Sequence, residues 1–132
     1  MSEGAGSGSA RRVLVVDDDD SIREVAQMAL EIVGGFTVLT ASSGTQAWEV
    51  VQREHPDALL LDVMMPGMDG PTLLSHLRGH PDTEDLPVIF LTAKIQADDR
   101  RDWNGLDIAG VIAKPFDPMG LPQEMARMLG WS

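Results

Sequence analysis

Four short runs of uninterrupted apolar residues, Val13-Leu14-Val15-Val16, Ala58-Leu59-Leu60-Leu61, Val88-Ile89-Phe90-Leu91 and Val111-Ile112-Ala113, limit the fold of this 132-residue chain more than any other feature. A strand with one face in water alternates apolar and polar residues, whereas a strand covered on both faces reads as a continuous run. Phe36-Thr37-Val38-Leu39-Thr40 is more mixed and suits the edge of a sheet. Between these runs the apolar period changes to that of a helix. Ile22, Val25, Ala26, Ala29, Leu30 and Val33 follow the i, i+3, i+4, i+7 spacing of a helix with one buried face, ended by Gly34-Gly35. Ala47, Val50 and Val51 mark a second helix, closed before Pro56, and Leu73, Leu74 and Leu77 a third, with Pro71 in its first turn. A fourth, roughly Gln96 to Leu106, has only Trp103 and Leu106 as strong anchors and contains Asn104-Gly105, so it is expected to be the loosest. Leu121, Met125, Met128 and Leu129 carry a fifth.

Five strands alternating with five helices predict an α/β architecture, a doubly wound open parallel sheet with helices on both faces. In such sheets ligands bind beyond the carboxyl ends of the strands. The length suits one domain, placed at residues 11–132, and 43% hydrophobic residues suffice for its core. Residues 1–10, small, polar and glycine-rich, are expected to form a flexible tail.

Composition excludes several classes of function. A formal net charge of -11 with only 10 Lys and Arg argues against a nucleic-acid surface, which needs clustered cations. The absence of cysteine removes disulfides and thiolate metal sites, and no apolar stretch is long enough to span a bilayer. Met1 to Ala10 lacks the layout of a secretory signal, which leaves a cytoplasmic location and no membrane partner as the expectation.

The strand ends carry the chemistry. The first strand runs into Asp17-Asp18-Asp19-Asp20, the third ends on Asp62, the fourth on Thr92 and the fifth on Lys114-Pro115. Each has a plain reading alone: Asp19 or Asp20 as a helix cap, Asp62 as a solvated strand end, Thr92 as a turn hydroxyl, Lys114 as a surface charge. Together they load one rim with carboxylates, a hydroxyl and a cation, while the buried runs carry none. Carboxylates packed so closely repel, and a divalent cation relieves the repulsion. Mg²⁺ commonly works with one or two carboxylates plus phosphate oxygens. With that metal and Lys114 neutralising charge, in-line phosphoryl transfer to a carboxylate oxygen becomes feasible, and Asp62 is then the nucleophile forming an acyl phosphate.

The segments VLVVDDDDSIREV, DALLLDVMMPGMDGPTLL, PVIFLTA and IAKPFDP resemble the response-regulator receiver family of two-component signalling, and the likeness covers residues 11–130. It implies a flavodoxin-like, five-stranded sheet of order 2-1-3-4-5 flanked by five helices. It implies that Asp17 and Asp18 hold magnesium beside Asp62, with the Met64 backbone carbonyl as a further ligand, and that Asp62 is the phosphoacceptor. Thr92 would bond a phosphoryl oxygen and move on activation, and Lys114 would pair with the phosphate beside a cis Lys114-Pro115 bond. Pro66-Gly67-Met68-Asp69-Gly70 resembles the family's turn after the phosphorylated strand. Met64 and Lys94 would flank the phosphorylated carboxylate and govern the approach of water. The output face would be the fourth helix, fifth strand and fifth helix, although Val111 stands where many members carry Tyr or Phe. The usual swing of an aromatic ring is therefore unavailable, and the fourth helix itself, near Trp103, is expected to carry more of the change.

The remaining features read as structural. His55, His76 and His80 lack metal-site spacing, Trp48 and Trp131 suit packing, and Asp98-Asp99-Arg100-Arg101-Asp102 suits a solvated helical face. The 8 methionines are expected mainly to fill core. The leading expectation is a phosphoacceptor module, not an enzyme, that takes its phosphoryl group from a histidine kinase or histidine phosphotransfer protein and acts on an unidentified protein target as a monomer or weak phosphorylation-dependent dimer. It would be either a stand-alone receiver or part of a longer regulator. A magnesium-dependent phosphohydrolase with an aspartyl intermediate is a rival class, but it needs an acid-base carboxylate just past the nucleophile, where Val63 and Met64 stand. A receiver-like binding module that works without phosphorylation is the third reading.

Overall fold

The computed structural model describes residues 10–93 and 105–131. Five strands, β1 (Arg12–Val16), β2 (Thr37–Ala41), β3 (Ala58–Asp62), β4 (Val88–Thr92) and β5 (Gly110–Ala113), form one parallel sheet of order β2-β1-β3-β4-β5. This is the order that the resemblance implies, with the mixed strand β2 at an edge as its composition suggests. Four α-helices are seen among the described residues: α1 (Asp20–Met28), α2 (Gly44–Glu54), α3 (Gly70–Arg78) and α4 (Leu121–Leu129). Most of the helix expected over roughly Gln96 to Leu106, with Trp103, and most of the expected tail lie outside the described residues; Gly105 and Leu106, at the end of that span, form a turn, and Leu106 packs on the core.

The continuous apolar runs are explained by burial on both sides. Side chains alternate across a strand, so Leu14, Val16, Leu59, Leu61 and Phe90 face α2 and α3, while Val13, Val15, Leu60, Ile89 and Leu91 face α1 and α4. All ten are fully buried, and each large one contributes about 2 kcal/mol by leaving water. The helix starts are set by side-chain caps. Asp19 accepts from the Ile22 N–H, Ser43 from Gln46 and Asp69 from Thr72.

The first helix departs from expectation at its end. A π-helical turn, Ala29–Val33, continues α1, and the Gly34 N–H bonds the Ala29 carbonyl five residues back. The wider turn breaks the 3.6-residue period on which the expected buried stripe rests. Ala26, Ala29 and Leu30 are buried, but Val33 is 43% exposed and Val25, on the flank of the stripe, 41%. The methionines also divide: Met65 and Met125 are core, whereas Met28, Met64 and Met119 are exposed. His76 and His80 both pack on Trp48, with ring centroids 5.9 and 4.7 Å away, in keeping with structural roles.

Candidate functional site

The carboxyl ends of β1, β3, β4 and β5 bring Asp17, Asp62, Thr92 and Lys114 to one rim, since β1 lies beside β3, β3 beside β4 and β4 beside β5. The last β4–β5 pair is Thr92 with Ala113, and the Lys114 N–H donates to the Thr92 carbonyl at 2.8 Å. Lys114 is thereby fixed one residue beyond Thr92. The Lys114-Pro115 peptide bond is cis, as the resemblance implied.

Asp17, Asp18 and Asp62 each present a carboxylate oxygen, and these oxygens lie within 4.8 Å of one another. Asp17 is fully buried, Asp62 nearly so, and Asp18 is exposed. The Asp19 N–H donates to Asp17 Oδ1 at 2.9 Å and the Met64 N–H to Asp62 Oδ1 at 3.3 Å. The Lys114 ammonium pairs with buried Asp17 Oδ2 at 2.9 Å. The same ammonium donates to Asp62 Oδ1 at 3.2 Å.

One ammonium thus serves two buried carboxylates, and the electrostatics show the shortfall. Burial, and then repulsion by Asp17, push the Asp62 carboxyl from 3.8 up to about 6, against the pull of Lys114 and the Met64 N–H. For Lys114, burial works to lower the pKa, but Asp17 and then Asp62 outweigh it and raise the value above 10.5. Three carboxylates within 4.8 Å of one another, two of them buried and one open to solvent, form an oxygen donor set suited to a hard divalent ion.

Close backbone packing makes room for this rim. A Cβ on Gly70 would stand 2.7 Å from the Asp62 carbonyl and 3.0 Å from the Val63 Cα, so only glycine lets α3 begin directly beside Asp62. Gly67, at φ 73°, turns the chain between them. Met64 itself is 70% exposed. Val111 is half-buried against the core beside α2 and α3, opposite Phe90. Lys94 lies outside the described residues.

Sequence reasoning missed Arg23. Its guanidinium reaches back from α1 to the Asp17 carbonyl, which accepts at 2.8 Å, and pairs with the Asp20 carboxylate. The Arg at the third turn position after the acidic run was the available signal, but a charged residue near a helix start reads first as solvated.

Known proteins share this arrangement of the chain. The family described as response regulator receiver domain matches residues 13–126. The probable transcriptional regulator ycf27 of Porphyridium aerugineum is 36% identical over 118 residues, and the response regulator MprA of Mycobacterium ulcerans is 41% identical over 119. Each alignment covers 89% of this chain but 48% of the relative, so the chain spans about half the length of these curated relatives. Among solved structures, the chemotaxis protein CheY4 of Vibrio cholerae superposes with a TM-score of 0.84 at 28% identity, covering 91% of this chain and 99% of that one. A putative response regulator from Chloroflexus aurantiacus gives a TM-score of 0.84 at 34% identity, covering 92% and 99%. With the family matched over residues 13–126 and the sheet order in agreement, this chain belongs to the response regulator receiver domain family.

Proposed function

We propose that this chain is a phosphorylation-controlled switch in which Asp62 accepts a phosphoryl group from a histidine kinase or histidine phosphotransfer protein. The observation that carries the reading is the meeting of the Asp17, Asp18 and Asp62 carboxylates, with the Lys114 ammonium paired to Asp17 and Asp62. Asp17, Asp18, Asp62 and the Met64 carbonyl would hold Mg²⁺. The ion, when bound, supplies positive charge for the equatorial phosphoryl oxygens. An Asp62 carboxylate oxygen forms the new P–O bond as the donor's P–N bond breaks, and the imidazole leaves with the bonding pair. Lys114 offsets charge on the transferred group, and Thr92 bonds one of its oxygens and links the event to Val111 and the output face.

The donor needs a place to dock, and α1 offers one. Of the large apolar side chains exposed among the described residues, Val25, Met28, Ile32, Val33 and Met119 lie along α1, its π turn and the loop before α4. Near Lys114 this face continues as an apolar groove of about 490 Å³ lined by Ile22, Val25, Ala93, Pro115 and Phe116. Asp18, Asp19, Asp20, Glu24 and Glu31 flank it, all exposed. That combination suits an apolar helix face with basic flanks, as in a helical phosphodonor. The receiver works in the cytoplasm as a monomer or weak phosphorylation-dependent dimer, makes no direct nucleic-acid contact itself, and passes its signal to a protein target.

Intact mass after treatment with acetyl phosphate tests the reading. One phosphoryl group is expected with Mg²⁺ and none with a chelator. A chain that stays unlabelled with Mg²⁺ would favour the phosphorylation-independent binding module instead.

A further inference from the structure

Five aspartates, Asp17 to Asp20 and Asp62, crowd the rim, and two cations reach them among the described residues. Lys114 lies inside the cluster. Arg23 approaches from outside, with its side chain 18% exposed, and bridges two points of the acidic run that are three residues apart. One arm of the guanidinium donates to the Asp17 carbonyl and the other pairs with the Asp20 carboxylate. The same run is tied at two further places: the Asp19 N–H donates to Asp17 Oδ1, and the Arg23 N–H to the Asp19 carbonyl at 3.0 Å. Asp18 sits between the two anchored ends, exposed and with no hydrogen bond of its own among the described residues.

We infer that Arg23 is a positioning residue for the metal-binding loop: by clamping the Asp17 carbonyl to Asp20 it fixes the backbone that aims the Asp17 and Asp18 carboxylates. The inference rests on the proposed Mg²⁺ site. Two consequences of the Arg23 charge oppose each other, which makes the role decidable. A cation beside a cation site weakens Mg²⁺ binding by repulsion, so Arg23 acting through charge alone predicts tighter binding on its removal. Arg23 acting as a clamp predicts weaker binding, because carboxylates on an unheld loop must be ordered when the ion binds. Groups that orient metal ligands typically matter by about 10–100-fold in affinity. The planar fork is what allows two partners at once; a lysine ammonium keeps the charge but lacks that rigid two-point geometry.

The test is calorimetric titration of the parent chain, Arg23→Met and Arg23→Lys with MgCl₂ alone, without phosphodonor, alongside thermal melts in chelator. Mg²⁺ affinity is expected to fall about 10-fold in Arg23→Met and by a smaller factor in Arg23→Lys. Affinity that is unchanged or higher in Arg23→Met overturns the inference, even if its melting temperature falls, because Arg23 would then brace the fold without aiming the ligands. A parent chain that binds no Mg²⁺ defeats the proposed metal site itself, an outcome separate from equal binding by parent and variants.

Discussion

The Lys114 ammonium lies 3.2 Å from Asp62 Oδ1 while also facing buried Asp17 Oδ2 at 2.9 Å, so one positive charge is divided between two carboxylates. A shared cation leaves each carboxylate short of compensation. The apo rim therefore stores electrostatic repulsion, which magnesium and then a phosphoryl group are suited to redistribute.

Asp62→Asn is expected to stabilise the metal-free protein and to abolish labelling, because the amide keeps the shape but removes one charge and the nucleophile. The pH dependence has a definite sign. Folding raises the Asp62 carboxyl from 3.8 to about 6, so the folded state holds this proton more tightly than the unfolded chain does. Its contribution to stability is present below 3.8 and is lost as the pH rises through about 6. The advantage of Asp62→Asn should thus be small near pH 4 and grow to about 1–3 kcal/mol by about pH 7.5, the pull of Lys114 being already included in the raised value. Denaturant melts in chelator across that range check it; an advantage that shrinks with rising pH would contradict the electrostatic account.

Asp18→Ala is expected to lose Mg²⁺-dependent labelling although Asp62 is intact, since Asp18 is the one solvent-facing carboxylate of the three. A fall of about 10-fold or more in Mg²⁺ affinity should accompany the loss. Calorimetry with MgCl₂ and intact mass after acetyl phosphate read the two effects separately, and undiminished labelling would remove Asp18 from the site.

On the apolar face, Ile32→Glu and Met28→Glu place carboxylates on side chains that are 75% and 57% exposed, so the fold should be little affected. Transfer from a phosphorylated histidine kinase or phosphotransfer protein is expected to slow by about 10-fold or more per substitution, as desolvating an unpaired charge against an apolar partner costs on the order of 1–3 kcal/mol. Labelling by acetyl phosphate, which needs no protein contact, should not change. Equal slowing with both donors would place the effect at the rim and not at a docking face.

The legible parts of this fold are those in which a residue's surroundings follow from its own neighbours in sequence. Leu59-Leu60-Leu61 announces a strand buried on both sides, and parallel pairing of such strands then brings Asp62, Thr92 and Lys114 to one rim. Asp19 as a cap is similarly local. What resisted reading depends on partners that no local pattern names. Trp48 meets His76 and His80 across two helices, and Arg23 folds back onto the Asp17 carbonyl against the ordinary expectation of a solvated charge. The π turn after Met28 has no signature in apolar spacing, and it is what exposes Val33.

Lifetime of the phosphorylated state is expected to depend on Met64 and Lys94, the positions two residues after Asp62 and two after Thr92. Hydrolysis requires a water in line with the phosphorus and oriented by a hydrogen-bonding neighbour, and a misplacement of about 1 Å can cost about 10²-fold in rate. Met64 is 70% exposed, and its N–H donates to Asp62 Oδ1. Its thioether brings bulk and almost no hydrogen-bonding capacity. A protonated Lys94 can donate to phosphate but has no lone pair with which to orient or deprotonate water. The parent chain should therefore lose its phosphoryl group slowly. Met64→Asn combined with Lys94→Glu supplies an amide and a carboxylate that can bond water, and its decay is expected to be about 10-fold or more faster. The comparison is made by intact mass over time after removing acetyl phosphate at fixed Mg²⁺. Because neither side chain is among the carboxylates, Thr92 or Lys114, the rate of labelling should change less than the rate of decay. A double variant that decays no faster than the parent would show that access of water is set elsewhere, with the Lys114 ammonium and the buried walls around Asp62 the remaining determinants.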